Sequence, residues 1–155
     1  MKSPNEIHWF VTRTRNGQWK KIAERLTGKG IQCYIPNVYN TLVFLKASKK
    51  KALSLVNSGE INARFIIDHS TRTLLEVPDK QMEDFIRVLD LSPDAVCLSD
   101  APFLKGDRVR VMKGALSGVE GEIVEASDNT SLIVRVSSLL CAKVSIPRSY
   151  VIPIH

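Results

Sequence analysis

Histidine is scarce in this chain of 155 residues, with only His8, His69 and His155. Asp68-His69-Ser70 superficially suggests nucleophilic chemistry, but a triad is assembled from distant segments, so three adjacent residues read better as a turn. No phosphate-binding P-loop, HExxH or GxSxG pattern occurs. Cysteine is equally rare: Cys33, Cys97 and Cys141 are odd in number, widely separated and without CxxC spacing. That excludes a disulfide framework or a zinc site as the organising principle. No apolar stretch approaches the length that spans a membrane, and Met1-Lys2-Ser3-Pro4-Asn5-Glu6 has no signal-peptide pattern. The expectation is a non-enzymatic protein of a reducing cytoplasm, with no metal, cofactor, membrane or small-molecule substrate.

Acidic residues are also few at the front of the chain. Residues 1–60 carry 11 Lys/Arg against 3 Asp/Glu, a net of +8, whereas residues 61–100 carry 4 against 8 and residues 101–155 carry 7 against 5. A basic N-terminal segment suits contact with phosphates. A solvated lysine-rich face is the competing explanation, and composition alone favours it.

What is present is well patterned. Ile7 to Arg13 is aromatic and β-branched, a strand signal. Asn16-Gly17 makes a turn, with Asn16 a candidate cap for a helix in which Trp19, Ile22, Ala23 and Leu26 form one apolar stripe. Lys20, Lys21, Arg25 and Lys29 fall outside that stripe, and Gly28 and Gly30 stop the helix. Ile31–Pro36 and Thr41–Lys46 read as strands. Ser48 is a candidate cap for a second helix with Ala52, Leu53 and Val56 on its apolar face. Strand pieces follow at Ala63–Asp68 and Thr73–Val77. Pro78 then sits where a helix starts, and Met82, Phe85, Ile86 and Leu89 keep helical spacing. This order predicts an α+β unit, a ferredoxin-like split βαβ sandwich over residues 1–91.

Beyond Leu91 the pattern changes. Ser92 to Pro102 has two prolines and no period, which reads as a linker. Residues 103–155 alternate short β-rich runs with turns: Asp107–Met112, Glu120–Ala126, Leu132–Val136, Lys143–Ile146 and Val151–Ile154. Five such runs predict a small barrel. Val109, Val111, Ile123, Val134 and Val144 alternate with polar neighbours, and glycines interrupt any helix there, so strands are expected rather than a helical hairpin.

Lys105-Gly106-Asp107-Arg108-Val109-Arg110-Val111, followed by Lys113-Gly114-Ala115-Leu116-Ser117-Gly118-Val119-Glu120-Gly121, closely resembles a KOW motif. Within it Gly106, Asp107, Val109, Val111, Gly114, Gly118 and Gly121 carry the match. Gly114, Gly118 and Gly121 supply the positive φ angles or close backbone approach that a tight hairpin needs. Trp9-Phe10-Val11, Gly30-Ile31 and Leu42-Val43-Phe44-Leu45 resemble the N-terminal domain of the NusG family of transcription elongation factors. Pro78 to Val88 (PDKQMEDFIRV) is most similar to the UpxY-type specialised paralogs of Bacteroides-group bacteria, which act on long polysaccharide operons.

The resemblance implies an N-terminal domain that grips the clamp helices of RNA polymerase, a short linker and a C-terminal SH3-like KOW barrel. It implies processive elongation or antitermination. Strand alternation separates Leu42 and Phe44 from Val43 and Leu45, and the resemblance makes Leu42 and Phe44 the exposed, polymerase-facing pair. Ordinary core is the alternative for Phe44. Arg15, Lys21, Arg25 and Lys29 match positions near non-template DNA or nascent RNA, where cations meet backbone phosphates. The barrel would recruit a further partner, such as a termination factor or a ribosomal protein. Two departures stand out. Asn37-Val38-Tyr39-Asn40 replaces a longer, often basic loop, which argues against an antipausing mechanism that bridges the main channel. Arg13 stands where some relatives place an aromatic residue on the polymerase face. The rival reading is a ribosome-associated KOW protein binding ribosomal RNA. The barrel's net charge of +2 is low for that role, which would also leave the N-terminal half idle.

Overall fold

A computed structural model describes residues 5–99, 106–126 and 129–154. Met1–Pro4, the last residues of the expected linker (100–102), the expected barrel start at Phe103 to Lys105, and His155 lie outside the described residues. The chain separates into two compact units, Met1–Asp79 and Lys80–His155.

The first unit runs β1 (Ile7–Thr14), α1 (Trp19–Gly28), β2 (Gln32–Tyr34), β3 (Leu42–Ser48), α2 (Lys49–Asn57) and β4 (Ala63–Phe65). Three two-residue strands follow: β5 (Ile67–Asp68), β6 (Thr73–Leu74) and β7 (Glu76–Val77). The main sheet has the order β2-β3-β1-β4, all antiparallel, with β7 added beside β1. β3 lies between the two strands that α1 connects, which is the split βαβ arrangement.

Its core lies between the sheet and the first two helices. Phe10, Val43, Leu45 and Ala47 meet Ile22 and Leu26 of α1 and Ala52 and Leu55 of α2. In α2 the buried pair is Ala52 and Leu55, with Leu53 only half-buried, so the apolar face is rotated from the one expected. Ser48 caps that helix as expected, its hydroxyl accepting from the Lys51 amide at 3.1 Å. Asn16 does not cap α1. Gln18 holds that position without a side-chain bond, and Gly17 at φ +83° turns the chain into the helix.

In the second unit α3 (Asp79–Leu91) precedes β8 (Val96–Leu98), β9 (Asp107–Val111), β10 (Glu120–Ala126), β11 (Asn129–Val136), β12 (Leu140–Ser145) and β13 (Val151–Pro153). The sheet order is β13-β9-β10-β11-β12-β8. All five expected strands are present. The sixth, β8, comes from the segment read as linker and pairs with β12 through Ala142 opposite Cys97.

The units divide at Asp79–Lys80, so α3 lies with the strands that follow it, whereas the sequence puts a boundary at residue 91. The helix's polar edge explains the association. Lys80 Nζ donates to the Gly118 carbonyl at 2.8 Å, and Arg87 donates to that of Ala115 at 2.9 Å. Asp84, almost wholly buried, accepts from the Glu120 amide at 3.1 Å and pairs with Lys80 at 3.1 Å. The Gln81 amide oxygen accepts from Ser137 N at 3.0 Å. Residues 80, 84 and 87 share one helix face by their i, i+4, i+7 spacing.

Glu122 is the second buried acid of this unit, accepting from the Gly106 amide at 2.9 Å and from Arg135 Nε at 2.7 Å. Bonds to a charged group contribute roughly 1.5–3 kcal/mol each. Glu122→Ala removes two such bonds and is therefore expected to cost about 3–6 kcal/mol, with Glu122→Gln losing less. Urea denaturation of the pair checks this, and equal midpoints would contradict it.

Candidate polymerase face and nucleic-acid interface

Strand register decides which side chains share a face. Phe10 opposes Leu45 on the helix side, while Val11 opposes Phe44 and Arg13 opposes Leu42 on the other. That second face carries Trp9, Val11, Leu42 and Phe44, and all four are buried, Phe44 completely. The expectation that Leu42 and Phe44 are exposed is therefore corrected. The physical reason was visible in Leu42-Val43-Phe44-Leu45: a strand apolar at consecutive positions is buried on both faces, whereas a solvated face gives alternation. Lys46, in register with Trp9, holds its ammonium 6.0 Å from that ring's centroid.

The four expected nucleic-acid cations do not form one site. Lys21 is exposed on α1. Arg25 and Lys29 converge on Glu60: Arg25 donates to its backbone carbonyl, and Lys29 Nζ lies 2.9 Å from its carboxylate. The hydrogen bond from Lys29, together with nearby cations, holds the Glu60 carboxyl below its ordinary value, so the Lys29 charge is already matched. Lys20, in the first turn of α1, sits 5.5 Å from the Trp19 ring centroid.

Arg15 belongs to a different constellation. It lines a cleft of about 530 Å³ with Arg13, Arg64, Asn62, Phe65 and neighbouring backbone. Arg13 on β1 stands directly opposite Arg64 on β4, and all three arginines are exposed. Arg64 was missed in the sequence because the pairing that brings it to Arg13 spans some fifty residues. Arg13 on β1 and Arg15 just past its end, two residues apart, were the available signal.

The KOW glycines occupy the conformations expected of them. Gly114 and Gly118 have φ of +84° and +94°. A Cβ on Gly121 would run into the Ile133 carbonyl oxygen, and one on Gly106 into that of Ile123. Val109 and Val111 are buried, whereas Asp107 is exposed at the start of β9. The short Asn37–Asn40 segment is an ordered turn, with Tyr39 N donating to Pro36 O and Leu42 N to Tyr39 O.

Among the described residues no group of three His, Cys, Asp or Glu is placed to hold a metal, and no helix is long and apolar enough to cross a membrane. The three cysteines are free thiols. Burial pushes each above its ordinary value, Cys97 to about 11 with Cys141 adding to the effect. Such thiols are poor nucleophiles at neutral pH.

No protein-family model matches the chain, and no curated protein matches it. Among solved structures, a chain of the crystal structure of the MjSpt4:Spt5 complex in conformation B is 18% identical, covering 94% of this chain and 96% of that one. The TM-score is 0.34, too loose a superposition to argue from.

Proposed function

We propose that this protein is a NusG-type transcription elongation factor that binds RNA polymerase at its clamp helices and touches non-template DNA or nascent RNA. In this reading it works in the cytoplasm, catalyses nothing, and promotes processive elongation or antitermination of particular operons such as polysaccharide loci, as the UpxY-type resemblance implies. The observation that carries it is the hairpin β9–β10. The residues matching the KOW motif form one continuous hairpin whose Gly114 and Gly118 take positive φ and whose Gly121 lies against a neighbouring strand. The preceding split βαβ sheet and the net +8 of the first sixty residues agree with it. Leu42 and Phe44, being buried, offer a partner no surface in this conformation. The second unit would recruit a ribosomal protein or termination factor.

Capture of RNA polymerase from extract by the tagged protein, with isolated clamp helices as competitor, tests the reading. Absence of polymerase, or capture that the clamp helices do not compete, would overturn it. Replacing Arg15, Lys21, Arg25 and Lys29 with Gln is expected to weaken binding to an elongation-complex bubble. The slope of log K against log salt should flatten, by up to about 0.7 for each single-strand phosphate that is no longer neutralised. Lys29 should matter least because Glu60 already neutralises it. An unchanged slope would show that these side chains do not meet phosphates.

A further inference from the structure

Glu24 and Glu60 are the only acidic residues between Ile7 and Ile67, and the second of them stands among cations. Its carboxylate lies 2.9 Å from Nζ of Lys29, the residue that ends α1, and its backbone carbonyl accepts from Arg25. The hydrogen bond from Lys29 holds the Glu60 carboxyl below its ordinary value, and the charges of Lys51 on α2 and of Arg25 add to the effect. Three cations brought together by α1 and α2 therefore meet one anion. With 46% of the Glu60 side chain and 35% of that of Lys29 open to water, the ion pair contributes little to folding. Its consequence is electrostatic, because it takes Lys29 out of the basic surface that the two helices present.

We propose that Glu60 is a built-in competitor for nucleic acid: its carboxylate occupies Lys29 as a backbone phosphate would, and so lowers the affinity of the α1–α2 surface for a phosphate strand. This role for Glu60 rests on the nucleic-acid contact proposed above, which it moderates. The surface itself favours that occupant. Lys20, Lys21, Lys49, Lys50 and Lys51 are all exposed on the two helices, and lysine is depleted where protein meets protein. Neither helix exposes a large apolar side chain that could enter a lipid surface. Point charges on flexible stems suit backbone phosphates. Such contacts carry no sequence information and supply essentially all of non-specific binding. A lysine withheld from the surface therefore favours release from bulk nucleic acid.

The test measures binding of a fluorescent single-stranded oligo(dT) by the full-length protein across a range of salt. Glu60→Gln keeps the carbonyl that Arg25 binds and removes only the charge held against Lys29. It is expected to bind about three- to tenfold more tightly at low salt, with the slope of log K against log salt steeper by about 0.7, the value for one further single-strand phosphate. Glu60→Gln/Lys29→Gln should return to the wild-type slope, which places the gain at Lys29. Glu83→Gln, exposed in the second unit, changes the net charge equally and should leave the slope unchanged. Thermal midpoints should stay close to wild type, since only an exposed pair is lost. If the wild type binds and Glu60→Gln has the same slope, the proposal is overturned and the nucleic-acid reading stands. A gain that survives in the double variant, or that Glu83→Gln reproduces, also overturns it. So does a gain toward phosphatidylserine vesicles with none toward oligo(dT), which would make the partner a membrane. If neither wild type nor Glu60→Gln binds oligo(dT), the nucleic-acid reading of this face falls and the proposal with it. If the expected pattern appears but the protein captures no polymerase, the role of Glu60 stands and the elongation-factor reading falls.

Discussion

Phe44→Asp is expected to unfold the first unit rather than to produce a folded protein that has merely lost a partner. Phe44 is wholly buried at the centre of the sheet, opposite Val11 on one side and Tyr34 on the other. Truncating a buried Phe alone costs roughly 3–5 kcal/mol. An ionised carboxylate left there adds a desolvation penalty of several kcal/mol more. Together these approach or exceed the roughly 5–15 kcal/mol that holds an ordinary domain together. Phe44→Leu is the control, since it keeps the site apolar and should leave a cooperative transition at a lower temperature. Circular dichroism melts of the three proteins decide the matter. A Phe44→Asp protein that melts at the wild-type temperature, yet no longer captures polymerase, would restore the exposed reading of this face.

That residue shows where local sequence stops being informative. Alternation assigned Phe44 to the face opposite Val43, and the register agrees. Whether a face is wet is a non-local property, and the consecutive apolar residues of β3 were the better guide. The same division holds elsewhere. The cations of α1 were legible as a set because they fall outside the apolar stripe. The meeting of Arg25 and Lys29 on Glu60, whose carboxylate neutralises Lys29, was not, because that acid lies more than thirty residues on, after α2. The stripe Met82, Phe85 of α3 was legible, but the polar edge formed by Lys80, Asp84 and Arg87 became meaningful only once the β9–β10 turn lay beside it. β8 has three residues in a proline-flanked segment and owes its existence to the neighbouring β12. The KOW glycines were the most legible feature, because a positive φ is a requirement a residue meets or fails by itself.

Gly121 is the exception among those glycines, and substituting it is expected to have the largest effect in the second unit. Its place is the second residue of β10, opposite Val109 of β9, with no turn to make. What it supplies is room. A Cβ there would overlap the Ile133 carbonyl oxygen and lie 3.1 Å from Leu132 Cδ1. The oxygen belongs to the backbone of β11, so no side-chain rotation relieves the overlap. The strands must separate, at the point where Glu122 pairs with Ile133. Overpacking a core commonly costs about 1–3 kcal/mol and more where the obstacle cannot move. Gly121→Ala should therefore cost about 3 kcal/mol, and Gly121→Val, with two further methyl groups, should abolish the β9–β10–β11 ladder. Amide hydrogen exchange reads this residue by residue. Protection should collapse at Val111, Ile133 and Val134, while Phe10 and Leu45 in the first unit keep theirs. Gly114→Ala separates the two glycine roles, because it strains only a turn at φ +84° beside the Tyr150 ring. It should leave the ladder protected, with a modest drop in stability. Equal collapse of protection in Gly114→Ala and Gly121→Val would show that the turn, rather than the close approach of β10 to β11, sets the stability of this unit.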